Sequence, residues 1–193
     1  MGSIEPVERQ LRSGERVLIR DARPADAHAT RALILSVLRE ARYSITEPDE
    51  FTPTDEQEAG WIVRHLVTPN SLILVAEAEG QLAGMLNFET EPQRRRAHAG
   101  MFGISVAAPW RDRGLGSALV ETLLAWARAP PRVERVGLSV LGSNARAIHV
   151  YQRLGFVEEG RRPRTIKRGP DDYDDEVLMY QPVSQAAPEP RAG

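Results

Sequence analysis

Val106-Ala107-Ala108-Pro109-Trp110-Arg111-Asp112-Arg113-Gly114-Leu115-Gly116-Ser117 lies between a strand-like run and a helix-like one, and it decides how the rest of the chain is read. Two glycines one residue apart permit positive φ and let backbone N–H groups approach a ligand with no Cβ in the way. A helix opening near Gly116 presents unpaired N–H groups and the positive end of its dipole, which together make an anion site. Arg111 and Arg113 add charge-assisted donors beside it. The chemistry is that of a phosphate or pyrophosphate cradle. A Walker loop needs Lys-Ser/Thr after its last glycine, but Ser117 follows directly and no lysine is near. A dinucleotide fingerprint needs a third glycine or alanine where Leu119 stands. Both patterns fail.

Outward from this turn the pattern alternates between the two periodicities. Upstream, residues 97–106 are strand-like, preceded by a loop at Arg94-Arg95-Arg96, a hairpin partner at 81–90 and an apolar run at 72–76 of the kind buried on both faces. Before them come a short strand at 17–20, a helix from an Asp26 N-cap to about Arg42, a loop from Tyr43 to Pro53, and a second helix opening at Thr54. Downstream, a helix over 116–129 stops at Pro130-Pro131, followed by a strand over 132–141 and a helix from Asn144 to Leu154 capped by Gly155. Strands at 156–162 and 176–181 close the domain. The expected organisation is a flexible leader over 1–15, one domain over 16–182 and a disordered tail over 183–193. Antiparallel hairpins followed by βαβ crossovers make the fold α/β (α+β), a mixed sheet with helices on its faces.

Composition narrows the class. The chain has 193 residues, 41% of them hydrophobic and 27% charged, which is ordinary for one globular domain. Cysteine is absent, which excludes disulfides, thiolate metal sites and a cysteine nucleophile. No His/carboxylate set stands at ligand spacing, so no metal is implied. A net charge of −2 argues against a nucleic-acid partner. No apolar segment follows Met1 and no run approaches the ~18 residues of a membrane span, so the expected location is cytoplasmic, with no membrane partner.

Thirty residues beyond the turn stands Asn144-Ala145-Arg146-Ala147-Ile148-His149-Val150-Tyr151-Gln152-Arg153-Leu154-Gly155-Phe156. Arg111-x-x-Gly114-x-Gly116 followed by this Asn-x-x-Ala…Tyr…Gly-Phe run resembles the GNAT superfamily of acyl-CoA-dependent N-acetyltransferases, over about residues 17 to 181. The resemblance implies a strongly twisted central sheet, splayed between the fourth and fifth of the expected strands, and acetyl-CoA as cosubstrate. It implies that Arg111, Asp112, Arg113, Gly114, Leu115, Gly116 and Ser117 hold the coenzyme pyrophosphate. The pantetheine would lie against Ile104, Ser105 and Val106, with the Val106 N–H as oxyanion donor. Asn144 would bond the pantetheine or stabilise the adjoining turn, and Tyr151 would protonate the leaving thiolate.

Several of these residues have plainer readings. Arg111 and Arg113 can be solvated charges, and Tyr151, on one stripe with Ala147 and Leu154, can be a packed core tyrosine. The general base stays open between Glu89, His98 and a water chain; His28, His65 and His149 read as helix-surface residues. Tyr43, Glu47, Phe51 and Trp110 are candidate linings of the acceptor side. The acidic run Asp171 to Glu176 is either a solvated hairpin loop or a lip that steers cationic amines. The acceptor is an amine-bearing small molecule or a peptide or protein, and a homodimer is open. The rival function is a catalytically silent acyl-CoA-binding module; the intact Tyr151 and oxyanion strand speak against it.

Overall fold

Strand β3 (Leu72–Ala78) is apolar on both faces because both are covered, and the sheet extends to either side of it. The computed structural model describes residues 3–40, 42–128 and 133–183. Its strands β1 (Val7–Gln10), β2 (Arg16–Asp21), β3, β4 (Gln81–Thr90), β5 (Ala99–Val106), β6 (Arg135–Leu141), β7 (Val157–Lys167) and β8 (Tyr173–Pro182) form one sheet in the order β1-β2-β3-β4-β5-β6-β8-β7. Only β5 and β6 run parallel. This is the mixed sheet expected, and the GNAT-type splay falls between β5 and β6, the fourth and fifth strands of the sequence reading.

Period-2 alternation sorts the side chains of β4 and β5 to two faces. Helices α1 (Ala27–Leu38) and α2 (Asp55–Val67) cover one face, burying Leu33 and Ile62 with Ile73, Val75 and Met85. Helices α3 (Leu115–Arg128) and α4 (Ala145–Arg153) cover the other, with Leu119, Leu123, Trp126 and Tyr151 in one cluster with Leu74, Leu86, Phe88 and Phe102. Local signals explain the helix ends. Thr54 and Gln57 close a capping box on α2, with bonds of 3.2 and 2.8 Å. Gly155, at φ +92°, lets the chain leave α4 so that Phe156 N can bond Tyr151 O at 3.0 Å.

Three expectations change. The leader over 1–15 contains β1, antiparallel to β2 with Val7 opposite Ile19, and Leu11 is 5% exposed within the core. Glu8-Arg9-Gln10 hid it, since an exposed edge strand is held by backbone bonds and needs few apolar side chains. At the other end, Val183, placed in the tail, is buried and donates its N–H to Glu134 O at 2.9 Å. The last two strands are longer than expected, because opposite charges pair across them, Arg161 with Asp175 and Arg162 with Glu176, while Arg168 pairs with Asp172 in the turn between. Ala41, the Pro130-Pro131 stop, Arg132 and the tail over 184–193 lie outside the described residues.

Leu11→Ala tests the correction at the amino end. Emptying a buried leucine site should cost about 2–4 kcal/mol, a fall in melting temperature of roughly 4–16 °C. A flexible leader would leave thermal unfolding unchanged.

Candidate active site

β5 and β6 are paired only at Ala99–Arg135, Gly100–Val136 and Met101–Gly137, and beyond that rung they part. The ladder shows which backbone groups this strands. Ala107 N bonds Ala83 O on β4 at 3.0 Å, so in the antiparallel alternation Ser105 and Gly103 also face β4. Ile104 and Val106 therefore turn their backbone groups toward the missing part of β6. One of them is taken: Val106 O accepts from Arg111 Nε at 2.9 Å. The Ile104 N–H and C=O and the Val106 N–H line a cleft of about 500 Å³.

The anion turn sits at one end of this cleft. Gly114 has φ +94° and needs glycine, whereas Gly116 is helical, within α3, and a Cβ there would sit 3.9 Å from Ile104 and Val106. The second glycine therefore serves close approach to the cleft, not an unusual backbone angle. The Ala118 N–H makes a 3.0 Å bond to Gly114 O, so the amides of Leu115, Gly116 and Ser117 precede the helical ladder.

The two arginines of the turn are committed elsewhere. Arg111 forms a two-pronged ion pair with Glu40, just past α1, which holds the Glu40 carboxyl below its usual range. Arg113 pairs with Glu15 and lies over the Trp110 ring, 5.4 Å from its centroid. Trp110, expected at the acceptor side, packs against the core and Arg113 instead. The guanidinium that lines the cleft beside the turn is Arg146, from the first turn of α4, ion-paired to Asp112 at 2.9 Å.

Tyr151 and Asn144 occupy the α4 wall. Tyr151 lines the cleft and is 9% exposed, with Phe102 and Phe156 edge-on at 5.8 and 6.0 Å. Burial pushes its hydroxyl up to about 12. Asn144 Oδ1 accepts from Ala147 N at 3.2 Å, so the side chain caps α4 and borders the cleft. The opposite wall is Val37, Leu38 and Glu40 with Arg42, Tyr43, Ser44 and Ile45. Of the expected acceptor linings only Tyr43 is here. Glu47 is exposed in its own turn with Glu50, and Phe51 lines a separate hollow with Trp61 and Arg64.

The base candidates separate. His98 is not in the strand: it is exposed in the turn before β5, six residues or roughly 20 Å from Ile104. Its carbonyl, not its ring, is engaged, accepting from Glu134 N and Arg135 N. Glu89 stands on β4 opposite Met101, level with the last rung before the splay. Behind it is His65, expected on the surface but 4% exposed. The acidic run is consumed by its own hairpin. Burial opposes the Asp174 charge, but Ser143, the Asp175 N–H and Arg168 outweigh it and hold the carboxyl low. Glu176 accepts from Ser139 Oγ at 2.6 Å and pairs with Arg162. Paired carboxylates do not make a steering lip.

Ser139 also lines the cleft; the sequence reading did not single it out, although the alternation Val136/Leu138/Val140 against Arg135/Gly137/Ser139 carries the signal. Asn87 left no such signal. Its Oδ1 lies 2.9 Å from where a Cβ on Gly103 would be, so the side chain reaches over a glycine of the cleft floor. Among the described residues no group of three or more metal-ligating side chains forms, and no helix is long and apolar enough to cross a membrane.

A splayed sheet, an anion turn at a helix start and a tyrosine facing the cleft define an acyl-CoA-dependent transferase. The model of the acetyltransferase (GNAT) family matches residues 34–156, and the chain belongs to that family. The L-amino acid N-acetyltransferase AaaT of Escherichia coli is 37% identical over 119 residues, 62% of this chain and 73% of that protein. A GNAT acetyltransferase structure from Streptococcus pneumoniae superposes with a TM-score of 0.81 at 30% identity, covering 86% of this chain and 98% of that one. An acetyltransferase from Salmonella typhimurium, solved with its cofactor acetyl-CoA, shares the fold at TM-score 0.77 and 19% identity, covering 91% and 99%.

The two glycines should separate in calorimetry. Gly116→Ala should leave thermal stability intact, since alanine favours a helix, yet weaken acetyl-CoA at least tenfold. Gly114→Ala should cost about 1 kcal/mol or more of stability. Acetyl-CoA affinity within twofold of wild type for Gly116→Ala would remove the turn from the binding site.

Proposed function

We propose that the protein transfers an acetyl group from acetyl-CoA to a primary amine by direct attack in a ternary complex. The observation that carries this is the unpaired edge of β5, running through the cleft from the α3 start toward Tyr151. In this reading the pyrophosphate rests on the amides of Leu115, Gly116 and Ser117, with Arg146 beside them. The pantetheine amides take up the Ile104 and Val106 groups that β6 leaves unpaired. An N–H of this edge, Val106 by the family resemblance, polarises the thioester carbonyl, a donor fixed before the reaction begins.

The amine nitrogen then bonds to the acetyl carbon, and the carbon–sulfur bond breaks as the intermediate collapses. Tyr151 holds its proton across the working pH range, because burial has raised its hydroxyl to about 12. It donates that proton toward sulfur. A thiolate forming in the same dry wall is also disfavoured, which draws the proton across. Glu89 is the base on this reading, being the candidate beside the splay. The relative in Escherichia coli is named for L-amino acids, which supports amine-bearing acceptors; L-amino acids are the first class to assay.

Thiol release from acetyl-CoA across a panel of amines and peptides tests the reading, since a silent module would bind coenzyme A and turn over with none. Tyr151→Phe keeps the ring packed, so acetyl-CoA affinity and melting temperature should hold while kcat falls ~10²-fold. The sign of its pH dependence follows from the raised pKa: the phenol stays protonated far above neutrality. The pH–rate profiles of wild type and Tyr151→Phe should therefore have the same shape below pH 12, differing only in height. A kcat within threefold of wild type would make Tyr151 a packing residue.

A further inference from the structure

His65 is buried in α2, and its ring is fixed by two contacts. Nδ1 lies 3.0 Å from Trp61 O, which can only accept, so Nδ1 carries a proton; the Trp61 ring packs edge-on at 4.6 Å. Nε2 is buried without a hydrogen-bond partner, and the carboxylate of Glu89 stands 3.8 Å away, its side chain 62% exposed. Glu89 shares its strand face with Asn87, two residues on, which reaches over Gly103 in the cleft. A buried basic nitrogen thus sits behind an exposed carboxylate at the root of the splay. Other charged groups near α2 are engaged elsewhere. Asp26 and Glu77 pair with Arg20, Asp55 with Arg31 and His28, and Glu58 accepts from Thr30. Arg64 lines the outer hollow, and β3 offers apolar residues.

We infer that His65 is the terminal acceptor of the amine's proton, working through Glu89; this rests on the acetyltransferase reading above. The ammonium gives a proton through water, across the roughly 10 Å between the levels of Ile104 and Met101, to the Glu89 carboxylate, which passes one from Oε2 to His65 Nε2 after a closure of about 1 Å, to normal hydrogen-bond length. The freed lone pair forms the bond to the acetyl carbon. A second proton, lost by nitrogen on collapse, goes to solvent, from which Tyr151 recovers the one it gave to sulfur. The imidazolium left behind faces the Glu89 carboxylate and returns its proton to solvent through it after release.

Two probes separate a relay from a structural histidine: L-leucine, protonated at the assay pH, and hydroxylamine, neutral there. Glu89→Gln and His65→Gln should each lower kcat/KM for L-leucine ~10²-fold, the range of general base catalysis, and change hydroxylamine turnover less than threefold. Equal losses for both probes would make the pair structural and overturn the relay. If His65→Gln does not fold, the exposed Glu89→Gln carries the test. Nitrogen-15 NMR of the wild-type imidazole needs no acceptor: at one fixed pH the Nε2 signal should move in Glu89→Gln, because the carboxylate beside it is gone. An Nε2 insensitive to Glu89 overturns the relay. An Nε2 signal that follows Glu89 without turnover of any amine would instead count against the acetyltransferase reading.

Discussion

The separation of β5 from β6 is the constraint to which the rest of the molecule answers. A central strand normally has partners on both sides, and leaving its polar groups bare inside a fold costs about 1–3 kcal/mol each if water cannot reach them. Here such groups on Phe102, Ile104 and Val106 open into a cleft, and one of them, Val106 O, is satisfied by Arg111. The wedge is held open by what flanks it. Helix α4 and its Asn144 cap stand on one side, and the end of α1 with the segment after it stands on the other. Met101 sits at the root, its sulfur so close to Gly137 that a Cβ there would lie 2.6 Å away.

The Arg111–Glu40 pair ties these parts together. Its guanidinium touches the end of β5 and the residue just past α1, so the strand with unpaired amides and the opposite wall of the cleft are joined by one side chain. Arginine at the first position of the turn therefore shapes the cleft. Arg146, ion-paired to Asp112, also lines the cleft, arriving from the far motif and not from the turn itself.

Much of this was legible in the sequence because it depended on backbone requirements. Gly114 must take a positive φ and Gly155 must end a helix; each needs glycine, and each was where the pattern placed it, while Asn144, read as the first residue of its helix, turns out to cap it. What stayed hidden depended on partners distant in sequence. Arg111 finds Glu40 seventy-one residues away, and the acidic run finds arginines on the neighbouring strand. His65 looks like a surface residue in a helix that also carries Arg64 and Glu58. Only the packing of α2 against the sheet buries it beside Glu89. β1 was missed for the opposite reason, since its backbone bonds leave almost no trace in the pattern of side chains.

That first strand reaches further than its own edge of the sheet. Just after it, Arg12 donates its N–H to Arg113 O at 3.1 Å, its side chain lies over Gly114, and Glu15 holds Arg113. The amino-terminal segment is thus a prop under the anion turn, set against the side away from the cleft. Its mechanical load is the position of three amides. A fusion, cleavage or altered start that disturbed residues near Leu11 would be felt first as a displacement of the Leu115, Gly116 and Ser117 amides, while the wall across the cleft kept its shape.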